Sequence, residues 1–379
     1  MSRPPLSYLD YNAEAPLKPA VAEAMASALG YVGNPSSVHR FGRLARRAFD
    51  DARAQVAAMV GGDAANVIVT SGGTEANNLA LTGVASARRV VSAIEHDSVL
   101  AAAPDATIAP VDSDGVIDLA ALEAALAADP APALVSLMLA NNETGVVQPV
   151  AAAGEIAHAH GALLHCDAVQ GVGRIAISLD DLNADLLSLS AHKMGGPQGV
   201  GALILRDGVS LSAMLRGGRQ ETGRRAGSEN VVAMVGFGVA AELAAEDHED
   251  AARVTGLRDR IEAALKAVAP DVQVFGAGAS RIGNTTCLTM PGLASETQVM
   301  ALDLAGVAVS AGSACSSGKV GPSHVLAAMA ADGDAAAGAV RMSLGWASTE
   351  GDVDRLIEAW ITLYRRSRGN DLYARSSTA

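Results

Sequence analysis

From about residue 65 to residue 205, short apolar runs alternate with stretches of helical spacing, an order that few architectures accommodate. Residues 66–71, 89–94, 133–139, 162–166, 184–190 and 200–205 read as strands. They are apolar almost throughout, as strands buried on both faces are. Residues 74–81, 119–128 and 150–160 read as helices between them. Strand–helix alternation predicts an α/β fold with a mostly parallel sheet covered on both sides. Ligands of such sheets sit beyond the carboxyl ends of the strands.

Past residue 205 the pattern changes. Residues 230–245 are Ala-rich and read as a buried helix, and residues 254–268 read as a second one, with Leu257, Ile261, Leu265 and Val268 at helical spacing. Short strands are predicted at 272–275, 285–290 and 307–310, and helices near 296–304, 322–330 and 351–365. A domain boundary is placed near residue 250. Residues 15–250 form the large domain, and residues 1–14 with 251–379 form the smaller α/β domain.

The length of 379 residues suits two domains. A formal charge of −13 argues against nucleic acid or an anionic membrane as the main partner. No apolar run reaches the roughly 18 residues of a membrane span, and the start carries no secretory pattern. Cys166, Cys287 and Cys315 are widely spaced and fit neither a disulfide framework nor a metal site. A cytoplasmic protein is expected.

Five motifs fall at predicted carboxyl ends of strands. The turn Thr70-Ser71-Gly72-Gly73-Thr74-Glu75 joins a strand to a helix start, where backbone N–H groups, the helix dipole and the Thr74 hydroxyl favour an anion. An ordinary capped turn has the same look. Ser190-Ala191-His192-Lys193 closes a buried strand ahead of a glycine-rich turn, a place where a lysine amine can be desolvated and made nucleophilic. Ser190 and His192 can donate to a phosphate beside it. Asp167, with Gln170 three residues on, can hold a ring nitrogen protonated or merely cap a helix. His96 can stack on a ring or relay protons, or be structural. Asn141-Asn142-Glu143 is a fifth strand-end motif, or a polar turn. Their shared edge of one sheet is what gives these separate signals weight.

Together with Gly33-Asn34-Pro35-Ser36-Ser37-Val38-His39, Gly217-Gly218-Arg219-Gln220-Glu221, Arg225-Ala226-Gly227-Ser228-Glu229-Asn230, Ser313-Ala314-Cys315-Ser316-Ser317-Gly318 and Val340-Arg341-Met342-Ser343, these motifs make the chain resemble the cysteine desulfurases, class V members of the aminotransferase superfamily. The resemblance runs from Tyr8 to about Arg355. It implies the fold type I architecture of pyridoxal 5′-phosphate (PLP) enzymes, with a seven-stranded-type sheet in the large domain. It implies that Lys193 carries PLP as a Schiff base, that His96 stacks on the ring and that Asp167 binds its nitrogen, with Asn142 and Gln170 alongside. Gly73, Thr74, Ser190 and His192 are then the phosphate ligands, joined by Ser228 from the other subunit of a homodimer with shared active sites. Asn34 and Arg341 hold the substrate carboxylate. Cys315 accepts sulfur from L-cysteine as a persulfide and passes it to an iron–sulfur scaffold or another sulfur carrier. No metal ligand set is implied. The small residues around Cys315 offer no apolar anchor and are expected to move, whereas Cys166 and Cys287 lie in apolar strands and are expected to be buried.

The chain departs from the family's usual Asn-Asn-Ala-Thr-Thr-Pro after Asp10, reading Tyr11-Asn12-Ala13-Glu14-Ala15-Pro16. This change is expected to touch substrate-side contacts and to leave the PLP site alone. The tail lacks the look of a scaffold-docking extension. Selenocysteine lyase and cysteine sulfinate desulfinase are the rival activities, and a non-catalytic organiser of sulfur transfer is the rival of another class.

Overall fold

A computed structural model of the chain describes residues 6–312 and 323–376. The N-terminal part holds β1 (Ser7–Tyr8), α1 (Pro19–Ala28) and α2 (Arg40–Met59). The alternating region follows with β2 (Val67–Thr70), α3 (Gly73–Gly83), β3 (Arg88–Ser92), α4 (Asp97–Leu100), β4 (Thr107–Ala109), α5 (Leu119–Ala127) and β5 (Ala133–Met138). It continues through α6 (Val150–Ala159), β6 (Leu163–Asp167), β7 (Leu186–Ser190) and β8 (Gly201–Leu205). Then come α7 (Val231–Val268), β9 (Thr285–Thr289), α8 (Ser295–Leu304), β10 (Val307–Ala308) and β11 (Ser310–Ala311). The chain ends with α9 (His324–Ala328), α10 (Gly333–Ala337), β12 (Ala339–Ser343) and α11 (Glu350–Ser376).

Seven strands form one sheet in the order β2-β8-β7-β6-β5-β3-β4. Only β8 runs against the rest, pairing antiparallel with both β2 and β7. Every residue of β2, β5, β7 and β8 is buried, because the sheet is covered twice. The pleat sorts alternate side chains to the two faces. Val67 and Val69 join Phe49, Val56, Phe237 and Ala240 from α2 and α7, while Ile68 joins Ala76, Leu79 and Val99 from α3 and α4. The expected sheet is present; α1, α2 and the short edge strand β4 were not anticipated.

A second core gathers Leu9, Leu288, Val307, Val340, Met342, Leu356 and Trp360. It lies on the antiparallel sheet β11-β12-β9 and the parallel pair β1-β10. Thus the first strand of the chain does pack with the C-terminal elements. Residues 230–245 and 254–268 are one helix rather than two: α7 is continuous for 38 residues and runs through position 250. Its first half, Ala233 to Ala241, belongs to the large core, and Val254 to Leu265 belong to the second. Its middle lacks a helix breaker, so propensity carries the helix across where the apolar pattern changes face. Residues 272–275 form no strand; only Val274 makes an isolated bridge, to Leu288. No helix among the described residues is long and apolar enough to cross a membrane.

Candidate active site

Because β2, β3, β5, β6 and β7 are parallel, the loops leaving them open on the same side of the sheet. There they enclose a cavity of about 300 Å³. Its wall includes Gly73, Thr74, His96, Asn142, Asp167, Gln170, Ser190, His192 and Lys193. The structure therefore brings these nine residues together from five separate strand ends.

The acidic side of the cavity is built first from the sheet. Asp167 is the last residue of β6, and both of its oxygens are engaged: Oδ1 accepts the Val169 N–H at 3.0 Å and Oδ2 accepts Asn77 Nδ2 at 2.7 Å. Burial shifts its neighbours toward their uncharged forms. Burial pushes the Glu95 carboxyl well above the usual carboxylate range, with the Asp167 charge adding to the effect. Burial pulls the His165 imidazole down to about 4, and its two nitrogens meet the hydroxyls of Ser136 and Ser188, each at 2.8 Å. With both oxygens held, Asp167 is suited to hold a proton on a ring nitrogen.

Asn77 carries the network further. Its Nδ2 also donates to Ser98 Oγ at 2.9 Å, and Ser98 Oγ lies 2.7 Å from Nδ1 of His96. His96 caps α4, its Nδ1 accepting the Ser98 N–H at 3.1 Å, so the neutral ring carries its proton on Nε2. Asn77 and Ser98 were not singled out from the sequence as site residues. Asn77 sits three residues after Thr74 on the same helix, hence on the same face, and that spacing was the available signal.

At the opposite end, Gly72 has φ of +151°, a conformation that favours glycine. A Cβ on Gly73 would come within 2.8 Å of Val169 Cγ2 and 3.6 Å of Ser190 Cβ. The turn is thus a cradle of backbone N–H groups at the start of α3, beside the Thr74 and Ser190 hydroxyls.

Lys193 stands between the two ends. Its Nζ donates to the carbonyls of Asn12 at 2.6 Å and Ala13 at 2.7 Å. The Asn12 carbonyl also accepts Gln170 Nε2 at 3.0 Å, and Asn12 Nδ2 donates to the Asn142 carbonyl at 3.0 Å. Glu14 Oε2 meets Nδ1 of His192 at 2.5 Å. The expectation that the departure at residues 11–16 leaves the PLP site alone is therefore corrected. That segment is built into the cavity's own hydrogen bonds, a long-range placement that nothing local in the sequence announces.

Three expected site residues lie elsewhere. Arg341 on β12 is fully buried, with Nη2 on Asp10 Oδ1 at 2.7 Å and Nη1 on the Asn142 carbonyl at 3.1 Å, so it stands behind the cavity wall. Asn34 is exposed in the loop between α1 and α2, where its Oδ1 accepts the Ser36 N–H at 2.8 Å. Ser228 is exposed just before α7. Its loop is tied down on both sides of the sheet edge, by Glu221 with Arg53 at 2.6 Å and by Arg225 with Glu75 at 2.8 Å. Cys315 lies outside the described residues.

The cavity alone would fit several cofactors; the family decides. A family model described as aminotransferase class V matches residues 7–356. The chain belongs to the class-V aminotransferase family. Among its class-V relatives, a cysteine desulfurase of Cereibacter sphaeroides is 46% identical, with 93% of this chain and 94% of the relative covered. A cysteine desulfurase of Klebsiella pneumoniae is 42% identical, covering 97% and 94%. Of solved structures, a NifS-like protein from Rickettsia africae superposes with a TM-score of 0.87 at 35% identity, covering 95% of this chain and 99% of that one. A structure described as SspA in complex with cysteine gives 0.78 at 30% identity, covering 89% and 99%. The sheet and its two coverings are those of PLP fold type I.

The cofactor of this class-V enzyme is PLP. The residues present fit it: a buried carboxylate with both oxygens held, an amine in the same cavity, and an anion cradle that a side chain on Gly73 would fill.

Proposed function

We propose that this class-V enzyme is a cysteine desulfurase that takes sulfur from L-cysteine, releases L-alanine and carries the sulfur as a persulfide on Cys315. The observation that carries the reading is Lys193 and Asp167 in one cavity wall, in a chain whose relatives at 40–46% identity are named cysteine desulfurases.

When bound, PLP supplies an electron sink for the substrate's Cα. Lys193 would anchor it covalently and then serve as the base that takes the Cα proton; its Nζ here donates to the carbonyls of Asn12 and Ala13. Asp167 would hold a proton on the ring nitrogen, and His96, its Nδ1 engaged by Ser98, would stack on the ring and relay protons. Asn142 and Gln170 would flank the ring, and Gly73, Thr74, Ser190 and His192, which line the same cavity, would hold the phosphate. Asn34 and Arg341 take the substrate carboxylate, and for Arg341 this means exchanging part of its contact with Asp10 or the Asn142 carbonyl. The Cys315 thiolate then attacks the substrate sulfur. An S–S bond forms, the C–S bond breaks, and its electron pair stays on the carbon that becomes the methyl group of alanine.

The partner proteins are a second copy of the chain and a sulfur acceptor, either an iron–sulfur scaffold or another carrier. Dimerisation is supported by the exposed Leu29, Val32, Val38 and Phe41 around the α1–α2 loop, an apolar surface near the exposed Asn34. In the dimer Ser228 reaches the neighbour's phosphate site. Sedimentation as a single 38.2 kDa particle at micromolar concentration would remove this part of the reading. Two fully buried, unpaired cysteines support a reducing, cytoplasmic setting.

The test is alanine release from cysteine, selenocysteine and cysteine sulfinate, measured side by side on the PLP-loaded protein. Cysteine is expected to be turned over with sulfide or persulfide formed in step with alanine. Turnover confined to selenocysteine or sulfinate would assign the chain to one of the rival activities, and turnover of none of the three would leave only an organising role.

A further inference from the structure

His192 is the one imidazole at the phosphate end of the described cavity wall, and it meets Glu14 in the segment that departs from the family's usual sequence. Its Nδ1 is 2.5 Å from Glu14 Oε2, and the Ala15 N–H donates to the His192 carbonyl at 3.0 Å, so the N-terminal segment grips this residue twice. A carboxylate only accepts, so the Nδ1 position must carry a proton in this pair. The ring's other nitrogen, Nε2, has no hydrogen-bond partner among the described residues and is what remains for the cavity.

That arrangement has a chemical consequence. A neutral imidazole has one N–H, and here Glu14 claims it. Nε2 can donate to a phosphate only when the ring is an imidazolium. Without the carboxylate, a neutral His192 would shift its single proton to Nε2 and donate without charging. We propose that Glu14 is a positioning residue that fixes the His192 tautomer and converts its contact with the cofactor phosphate into an obligatorily charged one, making cofactor retention depend on proton uptake by His192. This rests on the reading that His192 holds the phosphate.

The charged groups facing His192 are Glu14 from the segment before α1 and Lys193 next to it; the other titratable groups of the cavity wall are His96 and Asp167. Burial and the Lys193 charge pull the imidazole down, and Glu14 pushes it up. A phosphate on Nε2 places a second anion against the ring and favours the imidazolium further. The sign follows. A charged donor is present at low pH and lost as pH rises, so phosphate binding weakens toward alkaline pH. In Glu14→Gln the amide can turn its NH₂ toward Nδ1, the neutral ring carries its proton on Nε2, and that dependence is removed.

The probe is pyridoxamine 5′-phosphate, which carries the phosphate and forms no covalent bond to Lys193, titrated into the cofactor-stripped protein between pH 6.5 and 8.5. Phosphate's own titration is common to all variants and cancels in the comparison. The wild-type Kd is expected to rise about tenfold more over this range than that of Glu14→Gln, the difference between a charge-assisted and a neutral bond. Phosphate-free pyridoxamine should show no such difference. His192→Ala should weaken the phosphate form throughout the range. If Glu14→Gln keeps the wild-type pH slope while His192→Ala weakens binding, the role given to Glu14 is overturned and the phosphate assignment stands. If His192→Ala binds like wild type, the phosphate assignment itself falls.

Discussion

Lys193→Ala yields a colourless protein from which borohydride traps no cofactor, with desulfuration reduced by roughly 10³-fold or more, the range expected when a proton-transferring base is removed. The expectation follows from position. Lys193 is in the cavity wall, and its amine is already aimed by two carbonyls, of Asn12 and Ala13, at 2.6 and 2.7 Å. The only other lysine described close by, Lys18, is committed to Asp247 at 2.7 Å and is not in this wall. Absorbance of the cofactor-loaded variant, with mass spectrometry after reduction, checks the result. A reduced adduct on any other lysine would remove Lys193 from the centre of the mechanism.

Cys315→Ala separates the two halves of the reaction. The variant is expected to retain the yellow cofactor band, since none of the described cavity residues is altered, while sulfide release from cysteine falls to background. In the wild type, incubation with cysteine is expected to add the mass of one sulfur to the peptide containing Cys315. The other two thiols are poor candidates for chemical reasons. Cys166 and Cys287 are fully buried in β6 and β9, and burial pushes both thiols up, Cys166 with help from the Asp167 charge and Cys287 with help from Glu143. A thiol held protonated and out of solvent is not a nucleophile. Undiminished sulfide release from the variant, or the extra sulfur appearing on Cys166 or Cys287, would sink the assignment.

The sheet was legible because its strands are buried on both faces: runs such as 133–138 and 186–190 have little other place to go. Once the strands are parallel, their ends share an edge, and that rule alone collected Asp167, His96 and Lys193 into one place. The helix α7 was misread because its apolar face changes partner near residue 250, which looks in sequence like a break and in space is a continuous helix serving two cores. The helices α1 and α2 were missed; α2 is rich in charge, with five arginines between Arg40 and Arg53, and its buried stripe of Ala45, Phe49, Ala52 and Val56 is narrow. Asn12 and Glu14 could not have been placed from local pattern at all, since their partners Lys193 and His192 lie about 180 positions along the chain.

The segment from Ser7 to Glu14 works as a tie-rod. Its first two residues pair with Val307 and Ala308, Asp10 takes Ser310 Oγ at 2.8 Å and Arg341 at 2.7 Å, and Asn12 to Glu14 grip Lys193 and His192. Ser310 precedes Cys315 by five residues in the chain. Eight consecutive residues therefore link the cavity wall at Lys193 and His192 to β10, β11 and β12 of the second core. One short run of chain is thus hydrogen-bonded at one end to the second core and at the other to the cofactor cavity.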